Sequence, residues 1–228
     1  YLDGVEAERN YQHIESTSFF IRKLESILRD FNEETQDTSK KLDLVLFLDA
    51  CEHISRISRI ISQPEGHALL LGVGGSGRRS LSKLSAYINM HKLYTVEVGK
   101  GYNFAKWRED LKDLILQAVA QNRQLTFLVS DTQMVDTRML EDINCLLNTG
   151  NILGMQLNQD EKKKVDDAAK LECSKKGLPP TQVNLQQQAV QLVKMNTHVV
   201  FCMSPLREGF LDKLRMFPSL ISCCTIDW

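Results

Sequence analysis

Apolar residues recur at steps of three and four positions over several stretches of the chain, which is the spacing of one buried helix face. Phe20, Leu24, Ile27 and Phe31 form the first such stripe, and a second stripe includes Val45. Helices with this spacing are predicted over Phe19–Phe31, Leu42–Ile61, Leu81–Ile88, Asn103–Ala120, Thr137–Asn148 and Val183–Lys194, with a short helix or turn around Phe210–Leu214.

Short, mostly apolar runs lie between these helices and predict buried strands. They are His67–Leu71, Tyr94–Val98, Leu125–Ser130, Thr197–Met203 and Cys223–Trp228. Strands that alternate with helices are typical of a parallel α/β sheet. The alternation is interrupted at 151–182, where a charged run and a Pro-Pro pair predict a polar insertion.

A glycine-rich turn joins the first predicted strand to the next helix. Gly72 and Gly77 have the spacing of the phosphate-binding loop G-x-x-x-x-G-K-[ST], in which backbone N–H groups cradle a phosphate at a helix N-terminus. Arg78 stands in the lysine place, Arg79 in the Ser/Thr place that would ligate Mg²⁺, and Ser80 one residue further on. The loop therefore predicts a phosphate cradle whose two chemically active side chains are replaced.

An acidic residue ends the third predicted strand, where P-loop proteins hold magnesium. Asp131 is the one oxygen ligand that the pattern retains. A hydrolytic site would place a glutamate next to polarise the attacking water, whereas this chain has Thr132, which cannot act as that base. Gln133 is a weaker candidate for orienting water. Catalysis is therefore opposed by Thr132 as well as by the two loop arginines.

Polar residues also follow the fourth predicted strand. Ser204 suits contact with a γ-phosphate or water, and it suits turn formation equally well. Arg207 and Arg215 precede the last strand. Such arginines are most often surface charges, but in ring-forming ATPases an arginine in this region reaches into a neighbouring site.

Composition narrows the class of protein without identifying its function. The 228 residues are 43% hydrophobic and carry a formal net charge of −1, which gives no electrostatic case for nucleic acid or an anionic membrane as partner. No apolar run is long enough to span a bilayer. The six cysteines form neither a C-x-x-C pair nor a zinc-like spacing with histidine, so we expect reduced cysteines packed in the core.

These motifs together resemble the large α/β part of an AAA+ module of the dynein heavy chains, most closely the fourth module of the axonemal (ciliary) type. The likeness runs from about Leu42 to the C-terminus. It is carried by Leu70–Arg78 with Ser80-Leu81, Trp107–Lys112, Ser130–Gln133, Leu140–Asn144 with Leu146–Asn148, His198–Val200 with Met203–Pro205, and Arg215–Pro218 through Thr225–Trp228.

The resemblance implies a P-loop NTPase fold, the AAA+ large subdomain, with a five-strand parallel sheet of order 5-1-4-3-2 between helices. It implies an N-terminal helical lead-in over 1–41, the large α/β subdomain over 42–228 with the polar insertion at 151–182, and a helical lid that would follow Trp228 and is absent from this sequence. Both ends of the chain are accordingly expected to be cut from something longer.

The resemblance also assigns roles to residues. Asp131 would hold Mg²⁺ where it is bound, Ser204 would be the sensor residue, and Arg215 the arginine finger for the adjacent module. An arginine at position 78 is normal for axonemal fourth modules, whereas Arg79 departs from the more usual Gln, Ser or Thr. Thr132 in the place of the glutamate leaves no catalytic residue. The residues expected to bind ATP or ADP are Gly72, Val73, Gly74, Gly75, Ser76, Gly77, Arg78, Arg79 and Ser80.

The implied function is that of a nucleotide-binding, non-hydrolysing module of an ATP-driven microtubule motor that powers ciliary movement. The implied partners are the neighbouring AAA+ modules of the same heavy chain, microtubules through the stalk of the full protein, and dynein intermediate and light chains, with no nucleic acid and no membrane. The implied location is the cytoplasm and cytoskeleton, in the axoneme of a cilium or flagellum.

Three other functions remain open at this point. An active P-loop ATPase would release phosphate from ATP, and a structural ring segment with an empty pocket would bind no nucleotide. Gly72, Gly74 and Gly77 also fit the G-x-G-x-x-G of a dinucleotide site. The strand Tyr94–Val98 argues against a dinucleotide oxidoreductase, because it does not end in the acidic residue that would hold a ribose.

Overall fold

The strands of this chain form one parallel sheet with helices on both faces. The structure is a computed structural model that describes residue 14 and residues 16–152 and 154–228. The strands are β1 (Ala68–Leu71), β2 (Lys92–Thr95), β3 (Leu125–Ser130), β4 (Thr197–Met203) and β5 (Thr225–Asp227). The helices are α1 (Thr17–Glu34), α2 (Leu48–Ile61), α3 (Arg78–Ile88), α4 (Phe104–Ala120), α5 (Thr137–Thr149), α6 (Gln159–Lys175), α7 (Gln182–Asn196), α8 (Phe210–Met216) and α9 (Ser219–Ser222). The part of the predicted lead-in before residue 14 lies outside the described residues.

The strand order confirms the predicted fold. All pairings are parallel and the order is β2-β3-β4-β1-β5, which is 5-1-4-3-2 read from the other edge. Leu71 at the end of β1 pairs with Met203 at the end of β4, and Ser130 at the end of β3 pairs with Cys202. Because ligands of open α/β sheets bind outside the carboxyl ends of the strands, this edge is the place to look for a site.

The hydrophobic core occupies both faces of the sheet. On one face Trp107 and Phe201 are fully buried, and on the other Ile54 and Leu84 are. Strand β3 supplies side chains to both faces, since Phe127 and Leu128 belong to opposite sides of the sheet. A strand covered on both faces must be apolar at successive positions, which is why the sequence pattern locates β3 and β4 correctly.

The predicted start of the second helix is wrong. Helix α2 begins at Leu48, and Val45 is 82% exposed although the helical stripe predicts it to be buried. The physical reason is Asn32, whose side chain accepts from the N–H of Leu42 (2.7 Å) and donates to its C=O (2.9 Å). These two bonds hold the backbone at Leu42 away from helix α2.

The predicted bounds of two strands also change. Strand β2 begins at Lys92 and ends at Thr95. It ends there because the C=O of the next residue, Val96, accepts a hydrogen bond from the Gln133 side chain. Strand β5 is limited to Thr225–Asp227. The segment predicted as a polar insertion contains helix α6, which only Val165, Ala169 and Cys173 anchor as buried residues.

The predicted start and end of α5 are confirmed. Asp136 caps the N-terminus of α5 through the N–H of Arg138, and Gly150 ends that helix with a positive φ of 67°. All six cysteines are free, and those at 51, 173, 202 and 224 are buried. Within the described residues, no helix combines the length and apolar character needed to cross a membrane.

Candidate functional site

The ends of three neighbouring strands meet at one edge of the sheet and bring the predicted site residues together. The N–H of Gly72, after β1, donates to the C=O of Met203 in β4 (3.2 Å). The N–H of Ser204, after β4, donates to Oδ2 of Asp131, after β3 (3.1 Å). The glycine-rich loop, Asp131 and Ser204 therefore form one polar cluster at the carboxyl edge.

The glycine-rich loop has the backbone that a phosphate cradle needs. Gly75 and Gly77 have φ values of +84° and +78°, a region that side chains other than glycine rarely adopt. Gly77 is the N-cap of α3, and no side chain caps that helix end. The first N–H groups of α3 therefore lack a side-chain partner, as at the helix ends that bind anions.

Arg78 braces this loop from within. Its Nε donates to Oγ of Ser76 (3.1 Å), its Nη2 donates to the C=O of Val73 (3.0 Å), and its Nη1 donates to the C=O of Met203. A guanidinium carries five N–H groups, so two remain for a phosphate. Arg78 can therefore bind the loop and a phosphate at the same time, which a lysine ammonium could not do because it lacks the planar guanidinium fork.

Arg79 adds positive charge at the same helix end. It lies exposed in the first turn of α3, at the position where the loop pattern places a magnesium-ligating hydroxyl. The pKa of Lys83, one turn further on, is lowered by burial first and then by repulsion from Arg79 and Lys40. The N-terminal turns of α3 therefore present a positive field to any bound group.

Asp131 is buried, and both its oxygens face a protein group. Oδ2 accepts the N–H of Ser204, and Oδ1 lies 3.7 Å from Nη1 of Arg207. From the sequence, Arg207 is predicted to be either a surface charge or a residue that reaches a neighbouring site. Nothing in the residue spacing relates it to Asp131. The structure adds Arg207 to this cluster.

The side chains of the two residues after Asp131 make contacts that fix the end of β3. Oγ1 of Thr132 lies 2.8 Å from Oγ of Ser130. Gln133 is buried, its Oε1 accepts from the N–H of Ser130 (2.8 Å), and its Nε2 donates to the C=O of Val96. Gln133 thus caps the end of β3, and these structural bonds disfavour Gln133 as the residue that orients water.

Arg215 lies apart from this cluster. It is in α8 with a side chain 78% exposed, and its Nη1 lies 3.7 Å from Oδ1 of Asp212. An exposed ion pair of this kind contributes little to stability. The predicted action of Arg215 on an adjacent module stays a prediction.

Two comparisons with known proteins agree with this geometry. The model of the family described as the P-loop containing dynein motor region D4 matches residues 42–228. Dynein axonemal heavy chain 1 of Rattus norvegicus is 44% identical over 220 residues, which cover 96% of this chain and 5% of that protein.

Two further relatives carry similar names. Dynein axonemal heavy chain 6 of Homo sapiens is 40% identical over 91% of this chain. The dynein-1-beta heavy chain of the flagellar inner arm I1 complex of Chlamydomonas reinhardtii is 43% identical over 82% of this chain. The chain spans only 4 to 5% of the length of these relatives.

Proposed function

Because the chain belongs to the family of P-loop containing dynein motor regions D4, we propose that it is a module of an axonemal dynein heavy chain that binds ATP or ADP and does not hydrolyse it. The observation that carries the proposal is a phosphate cradle without a catalytic base. The positive φ of Gly77, the uncapped start of α3 and the two remaining N–H groups of Arg78 favour phosphate binding. Thr132 in place of a glutamate supplies no general base.

A nucleotide that stays bound without being hydrolysed would act by stabilising the folded state of the module. A ligand that binds only the folded state stabilises that state by mass action. Here the phosphates would contact the glycine-rich loop after β1 and also the residues that follow β3 and β4. The nucleotide therefore serves as a structural or regulatory ligand of the module.

The relatives support a proposal for the role of the whole protein. They are named axonemal or flagellar dynein heavy chains, so we place this chain in an ATP-driven microtubule motor of the axoneme, in the cytoskeleton of a cilium or flagellum. Its partners are then the adjacent AAA+ modules, dynein intermediate and light chains, and microtubules through the stalk. Arg215 is the residue of this chain that would reach the site of the adjacent module.

The module itself would have three parts. The family model begins at residue 42, which supports a lead-in over 1–41 and a large subdomain over 42–228 that includes the segment 151–182. A helical lid would follow. Ser204 would act as the sensor residue of this subdomain, beside Asp131.

Photolabelling of the full heavy chain tests the binding proposal. The probe is azido-ATP, and the readout is label on tryptic peptides of this chain, such as 42–56 and 60–78, so that other modules do not contribute. We expect saturable label, and equal label from α- and γ-radioactive probe after the heavy chain has turned over several times in an excess of probe. Absence of label would indicate an empty pocket, and loss of the γ-label alone would indicate hydrolysis.

Gly77→Val should remove most of this label. Valine does not adopt a φ near +78° without strain, so the loop must change conformation and turn its N–H groups away from the phosphate. We expect a loss of affinity of at least about tenfold, the equivalent of one charge-assisted hydrogen bond. The matched control is Gly101→Val after β2, since Gly101 has a φ of +79° and a Cβ there would meet nothing within 4 Å, whereas a Cβ at Gly77 would meet only Cγ of Leu81 at 3.9 Å. Equal label in the two variants would contradict the proposed role of the loop.

Arg78→Gln should also weaken nucleotide binding, by about tenfold to a hundredfold. The change removes charge-assisted hydrogen bonds to phosphate, each of which is worth about 1.5–3 kcal/mol. It also removes the brace on Val73 and Met203. The concentration of azido-ATP that gives half-maximal label measures the effect. Arg22→Gln in α1, an exposed site with the same charge change, should leave that concentration unchanged, and unchanged label in the Arg78 variant would refute its role.

A further inference from the structure

The cation that faces Asp131 is a protein side chain. We propose that this module binds its nucleotide without Mg²⁺, with the guanidinium of Arg207 as the cation that joins Asp131 to the phosphates. The inference rests on the proposed nucleotide site and concerns only which cation accompanies the nucleotide there.

The residues around the loop do not fit a magnesium ion. In P-loop proteins a loop Ser or Thr hydroxyl and a strand-end Asp hold the metal. Arg79 occupies the place of the hydroxyl, and a guanidinium has only N–H donors and no lone pair for a metal. Ser80 is no substitute, because one residue along a helix turns a side chain by roughly 100°.

The carboxylate of Asp131 is already satisfied. The residue is only 6% exposed, so water does little to solvate its charge. Oδ2 accepts the N–H of Ser204 at 3.1 Å, and Oδ1 faces Nη1 of Arg207 at 3.7 Å. A buried charge is stable when it is paired and hydrogen-bonded, and Arg207 supplies the pairing that Mg²⁺ would otherwise supply.

A tight turn sets Arg207 in this position. The N–H of Arg207 donates to the C=O of Ser204 (3.2 Å), which reverses the chain directly after β4. The turn begins at the residue whose own N–H binds Asp131, so the backbone and the guanidinium approach the same carboxylate. The location of Arg207 is therefore fixed by main-chain contacts as well as by charge.

Arg207 also has the capacity to reach a phosphate. The contact with Asp131 is an ion pair at 3.7 Å, longer than a hydrogen bond, so it leaves the five N–H groups of the guanidinium available, and the side chain is 45% exposed. Guanidinium groups suit phosphate oxygens because their planar fork donates two parallel hydrogen bonds. Together with Arg78 and Arg79, Arg207 gives the loop three positive charges, and a divalent cation among them would be repelled.

The test compares magnesium with excess EDTA in the full heavy chain. The readout is the concentration of azido-ATP that gives half-maximal label on the peptides of this chain. For the natural sequence we expect EDTA to change that concentration by less than about threefold, well under the tenfold that 1.4 kcal/mol represents. In Arg207→Gln we expect a loss of affinity of about tenfold or more in EDTA, as removal of a charge-assisted contact predicts, and a partial recovery with Mg²⁺.

Two further variants separate charge from structure. Arg207→Lys keeps a cation near Asp131 and should bind in EDTA better than Arg207→Gln. Glu208→Gln alters the same exposed turn without touching Asp131 and should behave as the natural sequence. Label that requires Mg²⁺ in the natural chain and is unaffected by Arg207→Gln would overturn this inference and leave the nucleotide site standing. Absence of label under every condition would instead refute the nucleotide site itself.

Discussion

Trp107→Ala is expected to lower the free energy of unfolding by about 3–5 kcal/mol, the usual loss for a large aromatic residue in a core. Trp107 is fully buried in α4, and its ring centroid lies 6.1 Å from that of Phe127 in the interior strand β3. Alanine would leave a cavity between a helix and the sheet that carries the site. The loss should appear as a lower urea midpoint in the unfolding of the chain.

A polar contact adds to the loss at Trp107. Its Nε1 donates to Oδ2 of Asp142 in α5 (3.1 Å), and Nε of Arg108 lies 3.0 Å from the same oxygen. Burial raises the pKa of Asp142, and Arg108 and the Trp107 hydrogen bond act against that shift. Without the indole, the buried carboxylate of Asp142 loses one hydrogen-bond donor. This lowers the free energy of unfolding by more than the lost packing alone.

The chain offers a matched control for Trp107. It has only two tryptophans, and Trp228 is 88% exposed. Trp228→Ala should therefore change stability by less than about 0.5 kcal/mol, as surface substitutions usually do. It also leaves Trp107 as the single indole fluorophore. A loss below about 1 kcal/mol in Trp107→Ala would contradict the assigned packing, since burial of such a side chain is worth more than that.

The sequence predicts the fold best where burial is continuous. The bounds of β3 and β4 are correct because both strands are covered on two faces, buried at every position and mostly apolar. The predicted start of α2 is wrong because the apolar residues around Val45 have helical spacing although the chain there is not helical. Asn32 instead holds Leu42 in place through hydrogen bonds between residues ten positions apart. Periodicity describes local structure and carries no information on such contacts.

The same distinction applies to the candidate site. The cradle is predictable because Gly72 and Gly77 are set by local spacing. The partners of Asp131 and Arg78 are not, since the contacts Asp131–Ser204 and Arg78–Met203 join positions 73 and 125 apart in the sequence. They arise only when the sheet places the ends of β1, β3 and β4 side by side. Arg207 joins the cluster for that reason alone.

Three histidines at the opposite edge of the sheet predict a loss of stability in mild acid. The rings of His91 and His198 are stacked with centroids 4.9 Å apart, and Nδ1 of His67 accepts the N–H of Val199 (3.0 Å). Burial lowers the pKa of His67 to about 4, with repulsion from His198 and Lys194 as smaller causes. Burial and then His198 lower the pKa of His91 to about 4 as well.

The direction of the pH effect follows from these lowered pKa values. An unfolded histidine titrates near 6.5, so above that pH both states are neutral and the stability is complete. As the pH falls from 6.5 towards 4, the unfolded chain binds protons that folded His67 and His91 do not bind, and stability is lost. A pKa lowered from 6.5 to about 4 corresponds to roughly 3 kcal/mol for His67 by pH 4. The two losses overlap, because His198 contributes to both shifts.

We expect the urea midpoint of the chain to fall steadily between pH 6.5 and 5, and His67→Asn to reduce that slope. Asparagine can still accept the N–H of Val199 through its side-chain oxygen, but it does not titrate. The variant should therefore be less stable than the natural chain at pH 7.5 and should approach it as the pH falls. The comparison cancels the carboxyl groups that both proteins share, such as Asp136 and Glu161, whose pKa values are lowered chiefly by hydrogen bonds. Parallel loss of stability in the two proteins would show that His67 is not the group that takes up the proton on unfolding.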